Sequence, residues 1–168
     1  MSWLDVSSVL TQVAAGVSFL HKLGIAHRDI SLENILLHQG SYKLADFGIA
    51  TRKYCPGGLL VGKNCYMAPE IVAGDSYDPK AADMWSLGIV VFILLTGSPL
   101  ISLASTSARA FCVFKKAGVE RVLKSWGVAD SLPMSAINLL SGMLAIDPKN
   151  RLTIAQVLEH DGLTSSLP

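Results

Sequence analysis

The chain has 168 residues, and its 14 Lys and Arg and 13 Asp and Glu give a formal net charge of +1. This length indicates one domain, and near-neutral charge without basic clusters gives no reason to expect nucleic acid or membrane partners. The three cysteines lack metal-binding spacing, and the first residues lack the pattern of a secretory signal. We therefore expect a reducing compartment, in the cytoplasm or the nucleus.

Hydrophobic residues make up 51% of the chain, slightly above the usual share for a globular domain. The longest apolar run, residues 84–95, contains Ser86 and Gly88. The run itself is shorter than a bilayer span requires, so we interpret it as part of a buried helix.

Helical patterns occupy both ends of the chain. An apolar stripe at helical spacing predicts a first helix that ends at Gly24, and the stripe consists of Val9, Val13, Val17 and Leu20. A central helix is expected over about 79–96, with Asp78 as its N-cap and Gly97 as its stop. Residues 135–144 predict a further helix. The capping box of Thr153 and Gln156 predicts a last helix through Glu159.

A β-hairpin is predicted between two polar motifs, HRDISLEN at 27–34 and DFG at 46–48. Apolar-rich runs at 35–37 and 42–45 flank the polar stretch HQGS, which is typical of two strands and a turn. If Leu37 faces Lys43, Asn34 lies opposite Asp46, with Cβ atoms about 5 Å apart. Two oxygen ligands would then converge on a hard cation such as Mg²⁺.

Asp29 lies five residues before Asn34, where it would accept a proton from an attacking hydroxyl. The alternative is a buried aspartate in a turn beside a polar hairpin mouth. Together, HRDISLEN and DFG resemble the catalytic loop and the magnesium-binding triplet of protein kinases. The resemblance implies that Asp29 is the catalytic base, that Asn34 and Asp46 bind Mg²⁺, and that Leu36 lies beneath the adenine of ATP.

Three later motifs follow the order of a kinase, namely APE at 68–70, DMWSLG at 83–88 and DPKNR at 147–151. The resemblance implies a buried ion pair between Glu70 and Arg151, although both could instead be solvated surface charges. It also implies that His27 and Phe47 have structural roles, as part of a side-chain stack anchored by Asp83.

The expected fold is mainly α with a small β-hairpin, similar to the C-terminal lobe of a protein kinase. One domain would cover residues 1–168, with the catalytic loop at 27–34, the activation segment at 46–70 and C-terminal helices at about 131–160. No glycine-rich phosphate loop, strand lysine or partner glutamate precedes His27, so the N-terminal lobe is expected to be absent.

The resemblance implies transfer of the γ-phosphate of Mg-ATP to a serine or threonine of a protein substrate. An N-terminal lobe or upstream segment would be a second partner, and the isolated chain is expected to be inactive. The alternatives are a pseudokinase-like scaffold without catalysis and a truncated regulatory fragment. The AAR pattern of tyrosine kinases does not occur between Asp29 and Asn34, which favours serine/threonine specificity.

Two positions depart from the family pattern. Serine/threonine kinases usually carry Lys two residues after the catalytic Asp, and Thr in the G-T-x-x-Y before APE. This chain carries Ser31 and Lys63 at those positions. We hypothesise that the hydroxyl and the ammonium have exchanged places beside Asp29. The alternative is a degraded site in which Lys63 is merely solvated.

The activation segment also departs from the family pattern. Arg28, beside the catalytic aspartate, usually accompanies control by a phosphorylated activation segment. However, residues 52–67 contain no Ser or Thr. We therefore predict no conventional Ser/Thr phosphorylation switch. Residues 57–63 match most of a P-loop, but Asn64 replaces its Ser or Thr, which disfavours a P-loop NTPase.

Overall fold

The computed structural model describes residues 1–165. Within this range the chain forms seven α-helices and one antiparallel two-stranded sheet. The helices are α1 Trp3–Lys22, α2 Pro69–Ala73, α3 Pro79–Thr96, α4 Arg109–Ser125, α5 Met134–Met143, α6 Ile154–Glu159 and α7 Asp161–Thr164. The strands are β1 Ile35–His38 and β2 Ser41–Leu44. The expected fold class, mainly α with one small hairpin, is confirmed.

Helix α3 forms the centre of the molecule and packs against α1 and α5. The Asp78 carboxylate caps it by accepting from the Lys80 backbone N–H, and Gly97 ends it with a left-handed φ of 77°, as predicted. Trp85 and Phe92 within it are fully buried. A Cβ at Gly88 would lie 2.8 Å from Leu144. Glycine at this position therefore allows close packing between α3 and the chain after α5.

Helices α1 and α3 are each long and apolar enough to cross a membrane by length and composition alone. Helix α3 has 18 residues and is longer than the apolar run at 84–95, so its length does not exclude a membrane span. However, 67% of its most apolar window is buried inside the protein. This burial agrees with the interpretation of α3 as a core helix.

The hairpin register differs from the prediction by one residue. Leu37 pairs with Tyr42 instead of Lys43, because Gln39 and Gly40 have φ values of 48° and 75° and form a two-residue turn. Two successive positive φ values are typical of a type I′ turn, which fits the twist of the strands. Asn34 consequently lies opposite Ala45, whose backbone N–H donates to the Asn34 carbonyl at 2.8 Å.

The C-terminal helices follow the predicted pattern with one addition. The capping box of Thr153 and Gln156 is present, and α6 ends at Glu159. The helix is not the last one, however, because α7 begins at Asp161. Helix α4 was not predicted at all, and its Gly118 has non-helical backbone angles that divide it into two parts.

Candidate functional site

The predicted catalytic loop, residues 27–34, is anchored to the buried helix α3 by one carboxylate. Asp83 is buried, and its two oxygens accept from the backbone N–H groups of His27 at 2.8 Å and Arg28 at 2.7 Å. Arg28 has a left-handed φ of 71°, an unfavourable conformation for this residue type. The two hydrogen bonds therefore hold the loop in a bend that the local sequence would not favour.

His21, near the end of α1, joins the same anchor. Its Nε2 atom lies 2.9 Å from an oxygen of Asp83, so three elements meet at one carboxylate. His21 lies outside the motifs that predicted the site. Its position six residues before His27 carries no general signal of this contact.

His27 is fully buried and connects the catalytic loop to the DFG segment. Its Nε2 donates to the Ala45 carbonyl at 3.0 Å, and its ring lies 5.1 Å from the Phe47 ring, centroid to centroid. Phe47 itself is exposed. The structure thus places in contact the two residues for which the family resemblance implied a side-chain stack.

The predicted base and one predicted metal ligand are in direct contact. Asn34 Nδ2 donates to both the backbone carbonyl and the Oδ2 carboxylate oxygen of Asp29, each at 2.8 Å. Both amide protons are thereby used, which fixes the orientation of the Asn34 side chain. Its Oδ1 oxygen and the second carboxylate oxygen of Asp29 accept no hydrogen bond from residues 1–165. Both oxygens are consequently available to a ligand.

Asp46, the second predicted metal ligand, directly follows the residue that pairs with Asn34. Its φ of 63° turns the backbone away from the strand, and its Oδ1 accepts from the Gly48 N–H at 3.1 Å. The predicted pairing of Asn34 opposite Asp46 is wrong by one position. No cluster of three His, Cys, Asp or Glu that could hold a metal occurs in the described part of the chain.

Lys63 and Ser31 form a contact beside Asp29. Lys63 Nζ donates to Ser31 Oγ at 2.7 Å, and lies 3.9 Å from Asp29 Oδ2 and 3.5 Å from Glu33 Oε2. Ser31 is fully buried, whereas the Lys63 side chain is 40% exposed. Lys63 is therefore more than a solvated surface charge, since it bridges three polar groups of the catalytic loop.

These contacts also affect the pKa of the Glu33 carboxyl. Its own backbone N–H holds the pKa of the Glu33 carboxyl below its usual value, and the Ser31 hydroxyl and the Lys63 charge lower it further, while partial burial opposes them. The carboxylate therefore stays ionised and shares Lys63 with Asp29.

The end of the activation segment, residues 46–70, is bound to its surroundings on two sides. The Tyr66 hydroxyl accepts from the Leu32 N–H at 3.4 Å, and the Ser86 hydroxyl of α3 donates to the Tyr66 carbonyl at 2.8 Å. Gly62 has a φ of 94°, and a Cβ there would lie 3.2 Å from the Arg28 carbonyl. These contacts set the position of Lys63, which lies between Gly62 and Tyr66.

The P-loop-like stretch at 57–63 lies within this same segment. Only one turn of 3₁₀ helix, Asn64–Tyr66, follows it, whereas a P-loop leads into an α-helix whose N-terminus faces the phosphates. The structure therefore gives no support to the P-loop interpretation.

The sequence did not predict the contact between Cys55 and Tyr77, which lies near Arg28. Cys55 and Tyr77 pair through two backbone hydrogen bonds of 3.1 and 3.0 Å. Burial and the neighbouring Cys55 raise the pKa of Tyr77 to about 12, although the Arg28 charge acts in the opposite direction. Arg28 Nε and Nη2 are buried, and neither has a hydrogen-bond partner in the described chain.

Glu70 and Arg151 form a buried ion pair. Arg151 Nη1 and Nη2 donate to the two carboxylate oxygens at 2.7 and 3.0 Å. Arg151 also donates to the Ala81 carbonyl at 2.8 Å and lies over the Trp85 ring at 5.4 Å. The pair connects α2 at the end of the activation segment to the chain that precedes α6.

Leu36, the predicted adenine contact, lies on β1 and is 52% exposed, and Leu37 beside it is 65% exposed. Strand β1 thus exposes two apolar side chains shortly after Asn34 in the sequence.

The family model described as "Protein kinase domain" matches residues 1–162. The chain is 37% identical over 163 residues to the serine/threonine-protein kinase chk1 of Schizosaccharomyces pombe, covering 94% of this chain and 32% of that protein. It is 36% identical over 162 residues to the serine/threonine-protein kinase grp of Drosophila melanogaster, covering 93% of this chain and 31% of that protein.

A human relative, the SNF-related serine/threonine-protein kinase, is 34% identical over 157 residues, covering 90% of this chain and 19% of that protein. The chain thus spans about a third or less of the length of these curated relatives.

Proposed function

Because the chain belongs to the protein kinase family, we propose that it is the C-terminal lobe of a serine/threonine kinase. This lobe would contribute to the transfer of the γ-phosphate of Mg-ATP to a hydroxyl of a protein substrate. One observation carries the proposal. The Asn34 amide holds the Asp29 carboxylate and leaves one oxygen of each side chain without a hydrogen-bond partner among residues 1–165. A catalytic base beside a cation ligand is the arrangement that this reaction needs.

Asp29 would accept the proton of the substrate hydroxyl as that oxygen attacks the γ-phosphorus. The new P–O bond forms while the bond from phosphorus to the β–γ bridging oxygen breaks, and ADP leaves with the electron pair. Little covalent chemistry falls to the protein, so positioning and charge account for most of the catalysis.

Asn34 Oδ1 and the Asp46 carboxylate fit the oxygen donors that Mg²⁺ prefers. When bound, Mg²⁺ neutralises the phosphate charge and orients the phosphates. Leu36, with its exposed side chain, offers an apolar contact for the adenine ring. Asn34 and Asp46 would thus supply oxygen ligands to Mg²⁺, and Leu36 would contact the adenine ring.

Serine/threonine specificity is supported by three relatives from fission yeast, fly and human, each of which is named a serine/threonine-protein kinase. The residues between Asp29 and Asn34 agree with it, because the AAR pattern of tyrosine kinases does not occur there. We propose a cytoplasmic or nuclear location, which would suit the three free cysteines.

The test uses the natural full-length polypeptide that contains these residues, with γ-labelled ATP, Mg²⁺ and a peptide containing serine and threonine. We expect Asp29→Asn to reduce phosphate transfer by about 10²–10⁴-fold, the usual contribution of a general base. Asn34→Ala and Asp46→Ala should each raise the Mg²⁺ concentration needed for half-maximal transfer. Full activity of Asp29→Asn would overturn the proposal.

The isolated 168-residue chain should bind Mg-ATP weakly and turn over negligibly, because these residues supply no glycine-rich loop or strand lysine for the phosphates. Isothermal titration calorimetry with Mg-ATP measures the binding. Tight binding together with rapid turnover by this chain alone would contradict this part of the proposal.

A second candidate function is a non-catalytic scaffold. The exposed apolar residues Leu36, Leu37 and Phe47 favour it, because exposed large apolar side chains are available to an interface. A comparison of two variants distinguishes the kinase function from the scaffold function. A kinase role requires Asp29, whereas a scaffold would keep its cellular function with Asp29→Asn and lose it with Leu37→Asp.

A further inference from the structure

We infer that Lys63 is a positioning residue for Asp29. The positive charge beside the Asp29 carboxylate then comes from the activation segment and not from the catalytic loop. This inference rests on the proposed function and adds a residue to it. Ser31 and Lys63 would together do the work of a hydroxyl and an ammonium in exchanged positions.

The contact between the two side chains is short and directional. Lys63 Nζ donates to Ser31 Oγ at 2.7 Å, and Ser31 is fully buried at the start of the 3₁₀ turn Leu32–Asn34. A buried hydroxyl that accepts from an ammonium fixes the end of an otherwise flexible four-carbon chain. Ser31 thereby determines where the charge of Lys63 lies.

The charge lies between two carboxylates. Lys63 Nζ is 3.9 Å from Asp29 Oδ2 and 3.5 Å from Glu33 Oε2. The same Asp29 oxygen accepts from Asn34 Nδ2 at 2.8 Å. Asp29 Oδ2 is thus held by an amide on one side and by a positive charge on the other. This arrangement leaves Oδ1 to face a substrate hydroxyl.

The position of Lys63 depends on the fold of the activation segment. Gly62 passes close to the Arg28 carbonyl with a φ of 94°, and Tyr66 is tied to both Leu32 and Ser86. If the segment leaves this position, Lys63 leaves Asp29 with it. Segment order and the geometry of the base are therefore coupled without a phosphorylated side chain.

The test compares three variants of the natural full-length polypeptide. Lys63→Met removes the charge, the double variant Ser31→Lys/Lys63→Ser reverses the exchange, and Lys53→Met is the control. Lys53 lies exposed on the same segment, and its side chain has no hydrogen bond or ion pair among residues 1–165. The kcat and KM for phosphate transfer are measured for each polypeptide.

We expect Lys63→Met to lower kcat by about 10²–10³-fold, as for loss of one preorganised electrostatic contact in an active site, and to change the KM for ATP much less. The reversed pair should recover kcat to within about tenfold of the original protein, because the two side chains act as one unit. Lys53→Met should leave kcat unchanged.

A second readout does not depend on turnover. The side-chain NH₂ signals of Asn34 in ¹H–¹⁵N spectra of the 168-residue chain report the position of Asp29, because both protons are donated to that residue. Lys63→Met should shift these signals, the reversed pair should return them, and Lys53→Met should not move them. Identical behaviour of Lys63→Met and Lys53→Met in both measurements would overturn the inference.

A reversed pair that stays as impaired as Lys63→Met would equally overturn the exchange. The failures of the two proposals are distinguishable. Absence of phosphate transfer by the original polypeptide would count against the proposed function, and the Asn34 signals would still decide the role of Lys63. Normal transfer by Lys63→Met would count against this inference alone.

Discussion

The guanidinium of Arg151 and the carboxylate of Glu70 form two hydrogen bonds across 81 residues of sequence. Both side chains are buried. Removal of either partner would therefore leave the other charge buried without compensation, which strongly destabilises the fold.

We expect Glu70→Ala to lower the free energy of unfolding by about 3–5 kcal/mol. The matched control is Glu120→Ala, which breaks the pair with Lys124 at 2.6 Å. Both of those side chains are exposed, so its effect should be much smaller than that of Glu70→Ala. Denaturant titration followed by circular dichroism measures both values, and equal losses would contradict the distinction between buried and exposed pairs.

The packing of α3 predicts different effects for two glycines. A Cβ at Gly88 would meet two Leu144 carbons at 2.8 and 2.9 Å, whereas nothing lies within 4 Å of a Cβ at Gly16 in α1. Gly88→Ala should lower the free energy of unfolding by about 1–3 kcal/mol through overpacking. Gly16→Ala should raise it by about 0.5–1 kcal/mol. Denaturant titration tests both, and stabilisation by Gly88→Ala would contradict the close approach.

The anchor at Asp83 predicts local protection of two amides. Asp83→Ala removes the acceptor for the His27 and Arg28 N–H groups, which should cost about 1.5–3 kcal/mol for each hydrogen bond to a charged group. Hydrogen exchange at these two amides should then accelerate. Asp78→Ala serves as the control, because it removes only the cap of α3 and should leave the exchange of both loop amides unchanged.

The Glu33 carboxyl predicts a pH effect with a defined sign. Its pKa is lowered in the folded chain, so its contribution to stability is present above the unfolded pKa and is lost as the pH falls through the folded value. Lys63→Met should raise the pKa of Glu33 towards its usual value but leave it lowered, since the backbone hydrogen bond remains. A ¹³C-carboxyl NMR titration measures the change, and an unaltered pKa would contradict the contact.

Much of the fold could be predicted because its signals are local. Asp78 and Pro79 at the start of α3, and Gly97 at its end, have conformational preferences that do not depend on distant residues. The capping box of Thr153 and Gln156 is equally local. The motifs predicted the residues of the site, and the structure places Asp29 in contact with Asn34 and 3.9 Å from Lys63.

The remaining features depend on conformations and contacts that no local sequence pattern indicates. The hairpin register was missed because Gln39 adopts a φ of 48°, which glutamine rarely does, so HQGS carries no clear signal for a two-residue turn. Helix α4 was missed because Gly118 interrupts its pattern. The contact of His21 with Asp83 joins residues 62 apart in sequence and follows only from the packing of α1 on α3.

The apolar side chains at the hairpin also have a practical consequence for work in solution. Leu36, Leu37 and Phe47 are each more than half exposed, and such surface becomes less soluble in salts that are excluded from proteins, such as sulfate. The purified chain should therefore precipitate at lower ammonium sulfate than its near-neutral charge suggests. A Leu37→Lys variant would be the better starting material for crystallisation and for NMR.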